Sequence, residues 1–158
     1  MKLLKPAALA VIAYTGYKLV VVVSLKHFSL SEFRGQWIFL ASGLLLKLDA
    51  FREELGRKVM VSPAPGSMLR WDKGEEGEHP KGRAIDVMLP EGPDLKTAYE
   101  VAKKVGFGGI GVYPDWKPYP GLHLDIRPRA EGQGPAKWAG IKEGGKQVYV
   151  SIERGFYA

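Results

Sequence analysis

Two short segments of the chain alternate between polar and aliphatic side chains, and this alternation limits how the chain can fold. In residues 84–89, AIDVML, a period of two places Asp86 on one face and the branched aliphatic side chains on the other. In residues 121–126, GLHLDI, the same period places His123 and Asp125 on one face, opposite aliphatic side chains. Each segment therefore predicts a strand with one face in the core and one face that carries ionisable groups.

The remaining pattern adds helices and further strands. Apolar residues at steps of three and four before Gly56 predict a helix over residues 42–55. Asp94 as an N-cap and Gly106 as a stop predict a second helix between them. Three further segments are strand-like: residues 58–62, 109–113 and 147–152. Residues 63–82 are rich in Pro, Gly and charge, which predicts a long loop. This order favours an α+β fold with a small, mostly antiparallel sheet and helices packed on one side.

The N-terminal segment differs from the rest of the chain, because a long apolar run follows two lysines. Residues 7–25 have about the length of a membrane-spanning helix, but Lys18 lies near their middle, where a charge is costly. Three interpretations stay open: a weak signal-anchor, a cleaved signal peptide, or a segment that packs on the domain or on a neighbouring subunit, with LVVVV as a strand.

The pattern of a folded domain begins near His27. Ser29 and Glu32 have the spacing of a capping box, which predicts a short helix. We therefore divide the chain into a hydrophobic segment, residues 1–26, and one compact domain, residues 27–158. A chain that starts near His27 is expected to fold, and residues 1–26 are a possible site of association with a membrane or a virion.

Composition limits the chemistry and the partners. The chain has no cysteine, so His, Asp, Glu or water must hold any bound metal. A net charge of +6 and a pI near 9.5 favour anionic surroundings such as nucleic acid, acidic lipid or bacterial wall polymer. Lys and Arg are scattered and no nucleic-acid-binding motif is visible, so we expect no nucleic-acid partner.

Two histidines and one aspartate form a candidate metal site. His79 lies at the end of the long loop, where the chain enters the strand of Asp86, and His123 lies on the second two-faced strand. Two imidazoles and one carboxylate, with a coordination position left open, suit a catalytic zinc. Taken singly, each residue also fits a simpler role. His79 fits a solvated loop histidine, Asp86 fits a buried carboxylate with a polar partner, and His123 fits the solvent-exposed face of an edge strand.

The residues around this set resemble a known family. HPKGRAID, residues 79–86, is similar to the H-x-x-G-x-A-x-D motif of the zinc D-alanyl-D-alanine carboxypeptidases and L-alanyl-D-glutamate peptidases, whose metal site is shared by the hedgehog signalling domain. GIGVYPDW followed by LHLD resembles the second motif of the phage and bacterial branch, and HFSLSEF and FREELG resemble its opening. The resemblance covers roughly residues 27–138. It implies a small α+β zinc peptidase that acts on peptidoglycan stem peptides, with His79, Asp86 and His123 as zinc ligands.

The chain departs from the family pattern at positions that matter for catalysis. Relatives commonly have Ser where this chain has Gly77, and many carry the general base where it has Pro120 or Gly121. The base must then come from elsewhere, and Asp125 is the first candidate and Asp115 the second. Alternatively, Asp125 does not contact the metal and instead orients one of the metal ligands.

The resemblance also points to substrate-binding residues. Arg70 is the nearest match to an arginine that precedes the first ligand, and its guanidinium would grip a stem-peptide carboxylate, although a solvated loop arginine fits equally. Trp116 is a candidate wall of the peptide groove, or else the edge of the core.

Two functions follow from these residues. The first is a zinc metallopeptidase, an endolysin-like hydrolase that degrades or remodels the cell wall for a phage or a bacterium. The second is a non-catalytic structural or binding protein of a phage particle that keeps the peptidase fold. The expected location is the cell envelope, the periplasm or the virion.

Overall fold

The structure, a computed structural model, describes residues 8–11, 22–70, 76–92 and 94–158. Two single 3₁₀ turns, Leu30–Phe33 and Gln36–Phe39, precede the first helix. The α-helices and strands, in chain order, are β1 (Ala8–Val11), β2 (Val22–Leu25), α1 (Ser42–Leu55), β3 (Met60–Val61), β4 (Ala84–Met88), α2 (Leu95–Val105), β5 (Gly109–Tyr113), β6 (Gly121–Asp125), β7 (Ala136–Glu143), β8 (Lys146–Val150) and α3 (Ile152–Phe156).

A six-stranded sheet in the order β3-β4-β6-β5-β7-β8 forms the centre of the domain. Each pair of neighbouring strands is antiparallel except β5 and β7, which run parallel. The predicted α+β class with a mostly antiparallel sheet is therefore confirmed, and the sheet is mixed because of this one parallel pair.

The two predicted two-faced strands are neighbours in this sheet. β4 pairs with β6 in a register that sets Asp86 opposite His123 and Ala84 opposite Asp125. The opposite face is aliphatic and fully buried, and it shares one core with apolar residues of all three helices. Burial of the aliphatic face thus fixes the register, and the register in turn aligns the polar side chains on the other face.

The helix boundaries follow the sequence signals closely. α1 ends at Gly56, which adopts a left-handed φ of 61°, and the Asp94 side chain accepts a hydrogen bond from the Thr97 amide at 2.8 Å at the start of α2. The Ser29 amide donates to Glu32 Oε1 at 2.9 Å, as a capping box requires. The helix that this box opens is only a single 3₁₀ turn.

Strand β7 and helix α3 were not predicted. The predicted strand over residues 147–152 ends at Val150, and Ile152 instead begins α3. The signal that could have revealed β7 is the turn Gly144–Gly145, with φ values of 56° and 78°. Two residues with positive φ are typical of the tight hairpin turn that joins two antiparallel strands.

Most of the hydrophobic N-terminal segment lies outside the described residues. Its described parts, β1 and β2, pair antiparallel with Ala8 opposite Leu25. Within the described ranges, no helix is long and apolar enough to cross a membrane. Association of residues 1–26 with a membrane or a virion stays a prediction.

The chain on both sides of the predicted domain boundary is attached to α1. Leu25 is only 1% exposed and belongs to the core. The carboxylate of Asp49, itself buried, accepts hydrogen bonds from the amides of Lys26, His27 and Phe28 at 2.9, 2.8 and 3.1 Å. A chain that starts at His27 would lose Leu25 and the Lys26 bond, so we now expect it to be less stable than a chain that starts at Val22.

Replacing Asp49 tests this attachment. Asp49→Ala leaves three backbone amides without their acceptor, and we expect the free energy of unfolding to fall by about 2–3 kcal/mol. Glu54→Ala, on the same helix, removes an exposed carboxylate that pairs with Lys104 at the surface, and it should cost less than about 1 kcal/mol. Urea denaturation measures both variants, and equal losses would show that Asp49 does not hold this segment.

Candidate metal centre

Three side chains from two strands and one loop meet at a single point on the polar face of the sheet. His123 Nδ1 lies 3.0 Å from Asp86 Oδ1, and His79 Nε2 lies 3.3 Å from the same oxygen. The two ring nitrogens are 3.1 Å apart. The three ligand atoms all lie within 4.8 Å of one another, so the structure brings together the three residues that the sequence predicted as metal ligands.

The far side of each imidazole ring is held by a hydrogen-bond acceptor. His79 Nδ1 lies 3.1 Å from the Met68 carbonyl oxygen, and His123 Nε2 lies 3.1 Å from Asp125 Oδ2. A carbonyl or a carboxylate can only accept, so each outer ring nitrogen carries the proton and donates it. In a neutral imidazole the other nitrogen then presents a lone pair. Both lone pairs therefore point inward, toward each other and toward Asp86.

Two lone pairs that point at each other and at the Asp86 carboxylate require a positive charge between them. Burial by itself lowers the pKa of His123, but the hydrogen bonds and negative charges of Asp125 and Asp86 outweigh burial and raise it. Burial likewise raises the pKa of Asp86, yet the bonds and charges of His123 and His79 outweigh it, so the net shift is downward. The group thus holds either a proton or a metal cation, and its donor set of two imidazole nitrogens and one carboxylate oxygen fits a metal ion.

Asp125 lies behind His123, on the side away from Asp86. Its side chain is fully buried, and it accepts hydrogen bonds from the Arg127 amide and from Arg127 Nε, both at 2.9 Å. Although burial raises the pKa of Asp125, the bonds from His123 and Arg127 hold it well below its usual range. The Asp125 carboxylate is therefore ionised, and its oxygens already accept hydrogen bonds from His123 and Arg127. This favours the orienting role over the role of general base.

Asp115, the second candidate base, also has a structural partner. Its Oδ2 accepts a hydrogen bond from the Lys142 amide at 2.6 Å, which ties the loop after β5 to strand β7. Neither Asp115 nor Asp125 is among the described residues that line the cleft at the metal centre. The role of each as a base stays a prediction that this placement does not favour.

Local backbone and packing constrain two positions, Gly121 and Gly77, at which the chain departs from the zinc peptidase motif that it resembles. A Cβ atom on Gly121 would lie 2.8 Å from Trp116 Cε3 and would overlap the Val87 carbonyl oxygen. A carboxylate side chain therefore cannot replace Gly121 unless both the Val87 carbonyl and the Trp116 ring move. Gly77 has a φ of 94°, which disfavours the serine common at this position in the zinc peptidases that the motif resembles.

A cleft of about 730 Å³ opens at the metal centre, and both predicted substrate-binding residues line it. Arg70 Nη2 lies 3.4 Å from Asp86 Oδ2, and about a third of the Arg70 side chain is exposed. The Trp116 ring stacks on Tyr113, with centroids 4.2 Å apart. Both residues are therefore placed to contact a bound molecule, and their contact with a substrate stays a prediction.

Sequence reasoning missed two partners of the metal centre. Arg127, which holds Asp125, continues the alternation of His123 and Asp125 by one further step, so the period of two contained a signal for it. The Met68 carbonyl carried no such signal, because any residue supplies a backbone oxygen. Only the path of the long loop brings this oxygen to His79.

Replacing Asp125 separates its two possible roles. If Asp125 orients His123, Asp125→Asn should weaken zinc binding by about 10–100-fold, because the imidazole loses its charged partner. Asp115→Asn is the control and should leave zinc affinity unchanged. Competition with a chromophoric chelator measures both affinities. Wild-type zinc affinity in Asp125→Asn, together with a large loss of activity, would instead identify Asp125 as the base.

Comparisons of the chain with protein-family models, with curated proteins and with solved structures gave no match. The family assignment therefore rests on the quoted motifs and stays a proposal.

Proposed function

We propose that this protein is a zinc-dependent peptidase that hydrolyses bonds next to D-amino acids in peptidoglycan stem peptides. The observation that carries the proposal is the convergence of His79 Nε2, His123 Nδ1 and Asp86 Oδ1 beside an open cleft. The substrate class comes from the resemblance of HPKGRAID and GIGVYPDW…LHLD to the zinc peptidase motifs.

A zinc ion held by these residues would polarise an amide carbonyl and lower the pKa of a bound water molecule. The chain's own groups keep the site ready for that ion. The Met68 carbonyl and Asp125 fix the protons on the outer ring nitrogens, and Arg127 keeps Asp125 ionised and in place. Asp86 stays ionised because its bonds to the two histidines outweigh its burial.

The charges around the cleft support a peptide substrate with a carboxylate group. Arg70 reaches the edge of the metal centre from the loop that precedes His79, and its partial exposure leaves donors free for a ligand. A guanidinium can hold a carboxylate through two parallel hydrogen bonds. Trp116 and its stacked partner Tyr113 add aromatic surface to the lining of the same cleft.

A proton acceptor must come from the carboxylates that reach this cleft. In the described part of its lining these are Asp86, Glu76 and Glu78. Asp86 is a metal ligand in this proposal, and Glu78 Oε2 lies 3.2 Å from Arg83 Nε in an ion pair. Glu76 is exposed at the rim of the cleft, so we propose Glu76 as the carboxylate that takes the proton.

One observation favours the second function, a non-catalytic binding or structural protein of a phage particle. Both aspartates first considered as the base are engaged in hydrogen bonds away from the cleft. A chain that keeps the metal group without a base would bind a peptide, or hold its own fold together, without turnover.

The test is turnover by the zinc-loaded protein on stem peptides of several chemotypes, followed by chromatography of the products. We expect cleavage that a chelator abolishes and added zinc restores, and His123→Ala should lose both zinc and activity. Glu76→Gln should keep zinc and slow cleavage by about 10²–10⁴-fold, the usual contribution of a general base.

Glu131→Gln, which changes an exposed carboxylate in the turn before β7, is the matched control and should retain the wild-type rate. Bound zinc without cleavage of any stem peptide would contradict the peptidase and support the non-catalytic function. Absence of zinc binding would contradict both the metal centre and the peptidase.

A further inference from the structure

We propose that the Tyr113 hydroxyl donates a hydrogen bond to an oxygen atom of the peptide bound in the cleft, which makes Tyr113 a substrate-binding residue. This inference rests on the proposed function, because it concerns the same cleft. It assigns a role to a tyrosine that lies in the quoted GIGVYPDW segment but was not among the predicted site residues.

The sheet places Tyr113 on the same face as the metal centre. In the β5–β6 pair, Gly111 lies opposite His123 and Tyr113 lies opposite Gly121. Residues two apart on a strand point to the same side, so Tyr113 and His123 share one face. Tyr113 also lines the cleft, together with the three predicted metal ligands.

The Tyr113 ring is held in one position. It stacks on Trp116 with an interplanar angle of 12°, and it lies so close to Gly140 of β7 that a Cβ atom there would overlap Tyr113 Cε1. The residue is only 7% exposed. A ring fixed in this way offers its hydroxyl to a ligand without a further loss of side-chain entropy.

The hydroxyl has a donor on one side, which leaves its own proton for another acceptor. Trp138 Nε1 donates to the Tyr113 hydroxyl at 3.0 Å. An indole nitrogen can only donate, so the phenol oxygen accepts and its proton points elsewhere. The Tyr113 hydroxyl also shares a hydrogen bond with the Tyr149 hydroxyl. Tyr149 is 68% exposed at the cleft, so an oxygen of a bound ligand can replace it as the acceptor.

The state of the phenol suits this role. Burial raises the pKa of Tyr113 and outweighs the hydrogen bond from Trp138, which lowers it, so the hydroxyl keeps its proton in neutral and mildly alkaline solution. Tyr113 is therefore a donor throughout the range in which a zinc peptidase would work.

Trp138 connects this donor to the metal centre. Its ring centroid lies 5.3 Å from that of His123, and a Cβ atom on Gly111 would lie 2.6 Å from Trp138 Cε2. The indole thus lies flat over Gly111, with His123 beside it and the Tyr113 hydroxyl at its nitrogen. One peptide in the cleft can then contact both the metal centre and Tyr113.

The experiment measures binding of two phosphinate analogues, of D-alanyl-D-alanine and of L-alanyl-D-glutamate, to the zinc-loaded protein by calorimetry. Tyr113→Phe removes only the hydroxyl, and we expect the Kd of the analogue that binds wild type to rise about 10-fold, which corresponds to about 1.4 kcal/mol. Zinc content should stay at the wild-type value, and the melting temperature should fall by only a few degrees, because the Trp138 indole loses its acceptor. In steady-state cleavage, KM should rise with the Kd.

Tyr99→Phe is the matched control, since Tyr99 is also buried, at 6% exposure, but lies in the core beside Phe156. It should leave the Kd unchanged. Trp138→Phe removes the donor that orients the hydroxyl and should weaken binding in the same direction. If Tyr113→Phe does not fold, Trp138→Phe replaces it in the binding measurement.

An unchanged Kd in Tyr113→Phe, with wild-type binding intact, would overturn this inference and leave the proposed function standing. Binding without cleavage in the wild type would overturn the peptidase activity, while the Kd values would still decide the role of Tyr113. If neither analogue binds to the zinc-loaded wild type, both proposals are wrong.

Discussion

Two imidazole nitrogens that face each other at 3.1 Å, both within hydrogen-bond distance of one carboxylate oxygen, are the interaction on which this site depends. With the outer nitrogens of His79 and His123 donating to Met68 and Asp125, two neutral imidazole rings have no proton on their inner nitrogens. Lone pairs and a negative charge at one point repel each other unless a cation joins them. The surrounding structure therefore prepares a cation site, and a metal ion meets this need with fixed geometry.

The two-faced sheet makes this arrangement possible. Burial of the aliphatic face sets the register of β4 against β6, and that register alone brings Asp86 opposite His123. On the polar face, glycines leave room for large rings: Trp138 lies over Gly111, and Trp116 lies over Gly121. The same packing that places aromatic rings at the cleft also excludes a carboxylate from the position of the general base in the zinc peptidase motif that this chain resembles.

Local patterns in the sequence predicted the parts that depend on local chemistry. Caps and glycine stops located α1 and α2, and the period of two located β4 and β6 and gave the correct faces to Asp86 and His123. Other features depend on contacts between distant segments, which no local pattern contains. Examples are the Met68 carbonyl at His79, the Lys142 amide at Asp115, and the parallel pairing of β5 with β7.

The most direct test of the metal centre is to determine which ring nitrogens bind the ion. In ¹⁵N-labelled, zinc-loaded protein, long-range ¹H–¹⁵N correlation spectra distinguish a metal-bound nitrogen from a protonated one on each ring. We expect zinc on Nε2 of His79 and on Nδ1 of His123, with protons on His79 Nδ1 and His123 Nε2, because Met68 and Asp125 hold those outer positions. Zinc on the outer nitrogen of either ring, or spectra that do not change when zinc is added, would contradict the proposed centre.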